Sequence, residues 1–416
     1  MSLTRIAIVG GGPVGLTLAR LLLNKPKIEV VVFESENSQN ARGQGGSLDL
    51  HPTTGIAALK EAGLYDEFLK RARFEGEALT ICDKHLTKYV ELAGSDEKSS
   101  HGRPEIDRKS LREMLLDSIP PDMIRWGHHL RTIDENHNLI FDHGIEMGFD
   151  LIVGAEGAWS KTRKLVSEQA PDYAGISAFT FEIPNAKETA PECYQLSNHG
   201  SLFSYSDGRS IMSQCIGDGR LKVAVYAIWP KQWAENPTFD INDLDATRKA
   251  ILEECHDWSP ELLQFVRNAQ DPEFRPLYML PVGWSWENRP GVTLIGDAAH
   301  VMTPFAGEGV NLGMQDALKL SRAIIKGANS PNPQVTLPTE IKAYEDDLFV
   351  RAKETSTLTS DMMNWLFFSG GSLGSVIEKV ALRRLTFYDK SPLQRAKYPL
   401  MWALIYGYYF LFKLQY

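Results

Sequence analysis

The chain has 416 residues, 43% of them hydrophobic and 23% charged, and a net charge of −9. That length accommodates two domains with cores of their own, the composition is that of a soluble globular protein, and an acidic balance without a long basic run excludes nucleic acid as the main partner. Cys82, Cys193, Cys215 and Cys255 stand far apart, with no CxxC pair and no metal-ligand spacing, which predicts free thiols in a reducing, cytoplasmic compartment and no metal site.

The N-terminus enters its first predicted strand within a few residues, leaving no room for a signal peptide. In RIAIVGGGPVG, Arg5 to Gly15, the apolar run Ile6 to Val9 ends in glycines and is followed by an apolar helix, Leu16 to Leu23. This spacing predicts the strand, turn and helix of a dinucleotide fingerprint. Gly10 makes the turn, Gly12 lets backbone approach a pyrophosphate, and Gly15 lets helix and strand pack, with Pro13 and Val14 opening the helix. Unpaired N–H groups at that helix N-terminus favour an anion. The next strand, Glu29 to Phe33, ends in Glu34, from which a carboxylate reaches a ribose 2′-hydroxyl. An acid there selects FAD or NAD over NADP.

ARGQGGSLDLHP, Ala41 to Pro52, carries Arg42, Gln44, Asp49 and His51 among glycines, as a ligand-touching loop does, although a solvated loop is the other reading. Thr53 to Ala62 is a predicted helix with Gly63 as its C-cap. From Phe74 to Lys98 alternation is poor and charge is high. A helix then starts after Asp107, its predicted N-cap, with Leu111, Met114, Leu115 and Ile119 on its apolar face and Arg108 and Arg112 projecting from one side. A cation in the first turn opposes the helix dipole, so Arg108 is either a plain surface arginine or faces an anionic ligand.

Short strands are expected at Met123 to Trp126, Arg131 to Asp134 and Leu139 to Phe141, and a buried one at Asp150 to Val153 leads into GAEGAWSKTR. The first domain therefore returns after residue 120. Between Tyr173 and Tyr278, β-like segments separated by Asp207-Gly208 and Asp218-Gly219 predict an antiparallel sheet of hairpins, with helices at Leu244 to Glu254 and Pro260 to Asn268. Val292 to Gly296 is another buried strand, running into Asp297, His300 and the small residues ahead of a helix from Asn311 to Ile325, a loop suited to a polar or anionic ligand edge.

GGGPVG with Glu34, GAEGAWSKTR and GDAAHVMTPFAGEGVN, in this order, resemble the class A flavoprotein monooxygenases over residues 5 to about 325. GGSLDLHP, PEIDRKSLR and the YQL of Tyr194 to Leu196 resemble the tetracycline-inactivating members more closely. The fold so implied is α/β: a Rossmann-like FAD-binding domain over 1–172 and 279–330, an antiparallel-sheet substrate domain over 173–278, and a C-terminal helical region over 331–416. The resemblance implies noncovalent FAD with NADPH or NADH as transient reductant. It places Glu34 on the adenosine ribose, Arg108 near the ribityl and phosphate region, and Asp297 on the ribityl or pyrophosphate part. Asp49 lies beside the isoalloxazine, and Pro304 with Gly307, Glu308, Gly309, Val310 and Asn311 borders its reactive edge. Arg42 matches a residue at the nicotinamide nucleotide, and Gln195 a substrate contact. Two positions depart from the pattern. Glu156 stands where an Asp is usual, and Lys222 or a neighbour falls where the tetracycline enzymes carry a histidine.

The implied reaction is hydroxylation of an electron-rich phenolic or enolic small molecule, an aromatic or a polyketide such as a tetracycline, through a flavin C4a-hydroperoxide, with the protein positioning the cofactor and excluding water. No catalytic base is assigned; His51 and His300 could relay protons, though structural histidines are commoner. The other readings are a flavin dehydrogenase or reductase that inserts no oxygen, and a flavin-bound partner-binding protein that does not turn over. Trp284-Ser285-Trp286 matches a halogenase motif only in part. Tyr398 to Phe412 is uncharged for fifteen residues between Lys397 and Lys413. That is short of the roughly 20 residues of a spanning helix, and packing on the protein is preferred to membrane contact.

Overall fold

The computed structural model describes residues 3–39, 45–95, 103–388 and 391–415, apart from the side chains of residues 234 and 392–395. The chain forms two compact units. The first comprises residues 1–73, 100–172 and 278–357, the second 74–99, 173–277 and 358–416. Residues 331–357 thus go with the first unit rather than with a C-terminal region, and 74–99 and 358–416 go with the hairpin sheet. The change of unit falls inside one continuous helix, Pro333–Phe367.

A five-stranded parallel sheet organises the first unit, in the order Val292–Leu294, Leu151–Gly154, Thr4–Val9, Ile28–Phe33, Ile124–Arg125. Thr4–Val9 is central and buried at Ile6, Ala7 and Ile8, as a β-branched run covered on both faces must be. The helix Pro13–Leu22 follows it, and Leu16, Leu18 and Leu22 join a core that also takes Leu111, Leu115 and Leu294. Thr4–Val9 and its neighbours end together, so the loops after Val9, Phe33, Gly154 and Leu294 gather at one edge, where ligands bind in such sheets.

The second unit is built on a seven-stranded sheet in the order Gln270–Met279, Asp172–Ile183, Leu221–Ile228, Arg209–Cys215, Ser201–Ser206, Leu79–Cys82, Lys88–Leu92. Asp207 and Gly208 turn one hairpin with φ of 52° and 72°, the left-handed pair that a two-residue turn requires. Phe179, Phe181, Val223 and Val225 face Leu262, Phe265 and Val266 of the helix Pro260–Asn268 in a separate core. All four cysteines are free and buried, and burial pushes the Cys82 and Cys255 thiols up to about 12, which removes them as nucleophiles.

Candidate functional site

Gly10 leaves the first strand with φ +113°, and a Cβ there would collide with the Ala155 carbonyl oxygen. A Cβ on Gly15 would strike the carbonyl of Gly10, so this glycine lets the helix close onto the turn. Gly12 is different in kind: a Cβ there meets nothing within 4 Å. It caps the helix Pro13–Leu22 with extended backbone, and no side chain hydrogen-bonds the first-turn amides.

Glu34 is buried beside this turn. Its Oε2 accepts from Gly11 N at 2.7 Å, and its Oε1 from Glu36 N at 2.9 Å and Ser35 Oγ at 3.1 Å. A carboxylate held by three donors keeps lone pairs for hydroxyls. Arg112 completes the arrangement, a role the sequence did not single out. Its Nε donates to Gly11 O at 3.1 Å, Nη1 lies 2.9 Å from Glu36 Oε2, and the guanidinium lies 5.7 Å from the Trp126 ring centroid. Arg108, one turn earlier, is exposed, and its backbone N–H bonds Gly46 O at 3.1 Å. Asp107 caps this helix without a side-chain bond to it, its carboxylate lying 3.1 Å from Arg73 Nη2. Arg42 and Gln44 lie outside the described residues.

A second helix N-terminus meets the same region. Val14 packs against Gly313 and Gly296, so the helix Gly309–Ala328 crosses the fingerprint helix near its start. Pro304–Ala306 forms a single 3-10 turn, Gly307 follows at φ +72°, and Glu308 caps the long helix without a side-chain bond. Gly309 again has open space where a Cβ would be. Asp297 is exposed at the start of its loop, while its carbonyl accepts from Arg163 Nη2 at 2.9 Å and that of Ala298 from Arg163 Nε at 2.8 Å. Arg163 therefore ties the GAEGAWSKTR segment to the Asp297 loop. His300 is buried with Nε2 2.6 Å from Asp316 Oδ2, and Arg351 binds the other oxygen of Asp316 at 2.7 Å, a structural setting for this histidine.

At the start of the long helix lies a cluster of ionisable groups. His51 Nε2 is 2.9 Å from Asp49 Oδ2, and its Nδ1 is 3.4 Å from Glu308 Oε2. Asn311 fixes the loop: its Oδ1 accepts from His51 N at 2.8 Å and Thr54 Oγ1 at 3.1 Å, and its Nδ2 donates to Asp49 O at 2.8 Å. Burial opposes the charged form of His51, but hydrogen bonds to Asp49 and Glu308 outweigh it and raise the imidazole to about 8. Desolvation pushes Asp49 up, yet the hydrogen bond and charge of His51, with Arg103 further off, hold it below the ordinary carboxyl value. Glu105, which the sequence reading also passed over, pairs with Asp49 across the short sheet Ser47–Asp49 with Glu105–Asp107. Burial, assisted by Asp49 and Asp107, pushes it up to about 7 despite a 2.8 Å bond from Ser47 Oγ and Arg73 at 3.4 Å. No spacing rule announces Arg112 or Glu105, because both act through pairings with residues far along the chain.

Glu156 turns inward. Its Oε1 accepts from Thr162 N at 2.7 Å and Thr162 Oγ1 at 2.6 Å, and burial raises its pKa. In the second unit Lys222 lies 2.7 Å from Glu182, its register partner, and Gln195 is exposed on the short helix Pro191–Leu196. No group of His, Cys, Asp or Glu suited to a metal ion occurs among the described residues.

The two uncapped helix ends, the open glycines and the acid at the end of the second strand fit a dinucleotide with an anionic centre. Residues 3–334 match the family described as FAD binding domain. The monooxygenase asqM of Emericella nidulans is 30% identical over 85% of this chain and 94% of its own. The salicylate hydroxylase substrate complex superposes with a TM-score of 0.72 at 18% identity, covering 97% of this chain and 98% of that one. The tetracycline destructase Tet(55) does so at 0.68 and 18%, covering 93% and 98%. The chain belongs to the FAD-binding-domain family of class A flavin monooxygenases and is an FAD-dependent monooxygenase.

Proposed function

We propose that the protein uses NADPH or NADH and O2 to hydroxylate an electron-rich phenolic or enolic small molecule, an aromatic or polyketide compound of the kind a tetracycline represents. The observation that carries this reading is the meeting of two uncapped helix N-termini with the Asp49, His51 and Glu308 cluster in one unit. In this reading Glu34 accepts the adenosine ribose hydroxyls, and the amides after Gly12, opened by Pro13, Val14 and Gly15, receive the pyrophosphate. Arg108 and Asp297 serve the phosphate and ribityl parts, while Asp49 and the run Pro304, Gly307, Glu308, Gly309, Val310 and Asn311 border the isoalloxazine. Arg42 is assigned to the nicotinamide nucleotide and Gln195 to the substrate.

Bound FAD supplies hydride acceptance from the nicotinamide and delivery of one atom of O2 to the substrate carbon, the other leaving as water. The protein's part is electrostatic and steric. Amides at the start of Gly309–Ala328 would offer positive partial charge to a flavin edge that gains negative charge on reduction. His51, charged near neutrality, holds Asp49 and Glu308 together and so fixes the loop that borders that edge. Asn311 ties the same loop to Asp49, Thr54 and His51 and so holds it in place.

The test is anaerobic reduction of the purified holoenzyme by NADPH and by NADH, followed by oxygen, with and without a panel of phenols and enolic polyketides that includes a tetracycline. Substrate-accelerated reduction and a product heavier by one oxygen atom are expected. Nucleotide oxidation with no oxygenated product from any compound would overturn the phenolic or enolic substrate class, and a flavin that neither nucleotide reduces would overturn NADPH and NADH as the reductant.

A further inference from the structure

The helix Pro392–Lys413 lies in the second unit and is apolar on the side that faces away from its packing. Tyr409 is buried, donates to Tyr89 O at 3.1 Å, and stands on the same stripe as Phe412, whose ring packs on Tyr89 at 5.3 Å. On the opposite side, Leu400, Leu404 and Leu411 recur at helical spacing, with Tyr408 and Phe410 flanking them, and all five are about three-fifths exposed. An amphipathic helix of a globular protein places charge on that side. Here the run from Tyr398 to Phe412 holds none.

Charge identifies the occupant. Residues 377–416 contain seven Lys and Arg against two Asp and Glu, a net +5 on a chain whose total is −9; Lys413 is paired with Glu378 and Arg383 with Asp361, while Lys379 and Lys397 are exposed. Lys397 and Lys413 bracket the uncharged run, and Leu385 adds an exposed apolar side chain on the preceding helix, Ile377–Tyr388. A second copy would bring this net positive segment against its own like, whereas an anionic lipid surface attracts it and accepts the apolar side chains. Tyr406, Tyr408 and Trp402 are the side-chain types that favour the headgroup level. Fifteen uncharged residues span only about 22 Å as a helix, short of a hydrocarbon core of about 30 Å. None of the helices among the described residues is long and apolar enough to cross a membrane.

We propose that the outward face of Pro392–Lys413 seats the protein, without spanning it, on an anionic phospholipid surface. The experiment is flotation of the full-length flavin-loaded protein with vesicles of phosphatidylcholine alone and of phosphatidylcholine with phosphatidylserine. Expected are binding to the mixed vesicles at least tenfold stronger than to the neutral ones, and its loss in high salt. Leu404→Gln with Phe410→Gln is expected to abolish it, and Lys379→Ala with Lys397→Ala to weaken it roughly 25-fold, at about 1 kcal/mol per basic residue. Bound flavin and melting temperature, measured on each variant, show that the fold is kept. No vesicle binding by the intact protein, equal binding to both vesicle types, or a stable dimer in solution that the Gln variants dissociate would each overturn the proposal.

Discussion

Glu105 and His51 make the stability of the first unit depend on pH in the same direction. Burial raises the Glu105 carboxyl from an ordinary 4.5 to about 7, so the stability of its neutral form is complete below 4.5 and is lost as pH rises through 7. His51 rises from 6.5 to about 8 because Asp49 and Glu308 favour its charged form, and that contribution is complete below 6.5 and lost as pH rises through 8. Converted at about 1.4 kcal/mol per pKa unit, the first is worth ~3 kcal/mol and the second ~2 kcal/mol. Urea unfolding of the flavin-free protein is therefore expected to show a lower midpoint at pH 8.5 than at pH 6. Glu105→Gln keeps an acceptor for Ser47 and removes the charge, so it should flatten the larger part of that slope, and His51→Gln the remainder. A slope that neither substitution changes would show that the cluster does not titrate in this range.

At the scale of elements, the fingerprint contains glycines with two different jobs, and the structure separates them. A side chain on Gly15 strikes the Gly10 carbonyl and must move the helix, whereas one on Gly12 meets only open space. Gly12→Ala is expected to fold with an unchanged melting temperature as apoprotein and to lose FAD affinity at least tenfold. Gly15→Val is expected to lose both flavin and stability. Arg112→Leu belongs with the second class, because it strands Glu36 and the Gly11 carbonyl, at a cost of about 3–5 kcal/mol. Flavin content and melting curves of the three variants check this; Gly12→Ala retaining full affinity would remove the pyrophosphate from that turn.

The same comparison shows what was legible in the sequence. The helices Leu244–Glu254 and Pro260–Asn268 have the expected ends because the signals are local: Asp243 accepts from Asp245 N and Ala246 N, and Ser259 accepts from Leu262 N with Pro260 at the first position. The strand Leu79–Cys82 escaped notice because its parallel partner, Ser201–Ser206, lies some 120 residues on and its alternation is short. The pairing of Arg112, whose helix face the spacing does give, and the role of Glu105 were not legible for the same reason, since both depend on Glu36 and Asp49 across the fold.

At the scale of the whole molecule, two units with separate cores make flavin a local stabiliser. The Gly12 and Gly309 helix ends lie in the first unit, and the Phe179, Phe181 and Phe265 core lies in the second. A ligand stabilises what it binds by RT ln(1 + [L]/Kd), about 2.7 kcal/mol at a hundredfold excess over Kd. Removing FAD should therefore speed amide exchange in Thr4–Val9, Ile28–Phe33 and Gly309–Ala328 by up to about a hundredfold, while Asp172–Ile183 and Leu221–Ile228 change little. Hydrogen-exchange mass spectrometry of the holo and flavin-stripped protein measures both sets at once. Equal acceleration in the two sheets would mean that the cores unfold as one cooperative body, and that the seven-stranded sheet depends on flavin as much as the parallel one does.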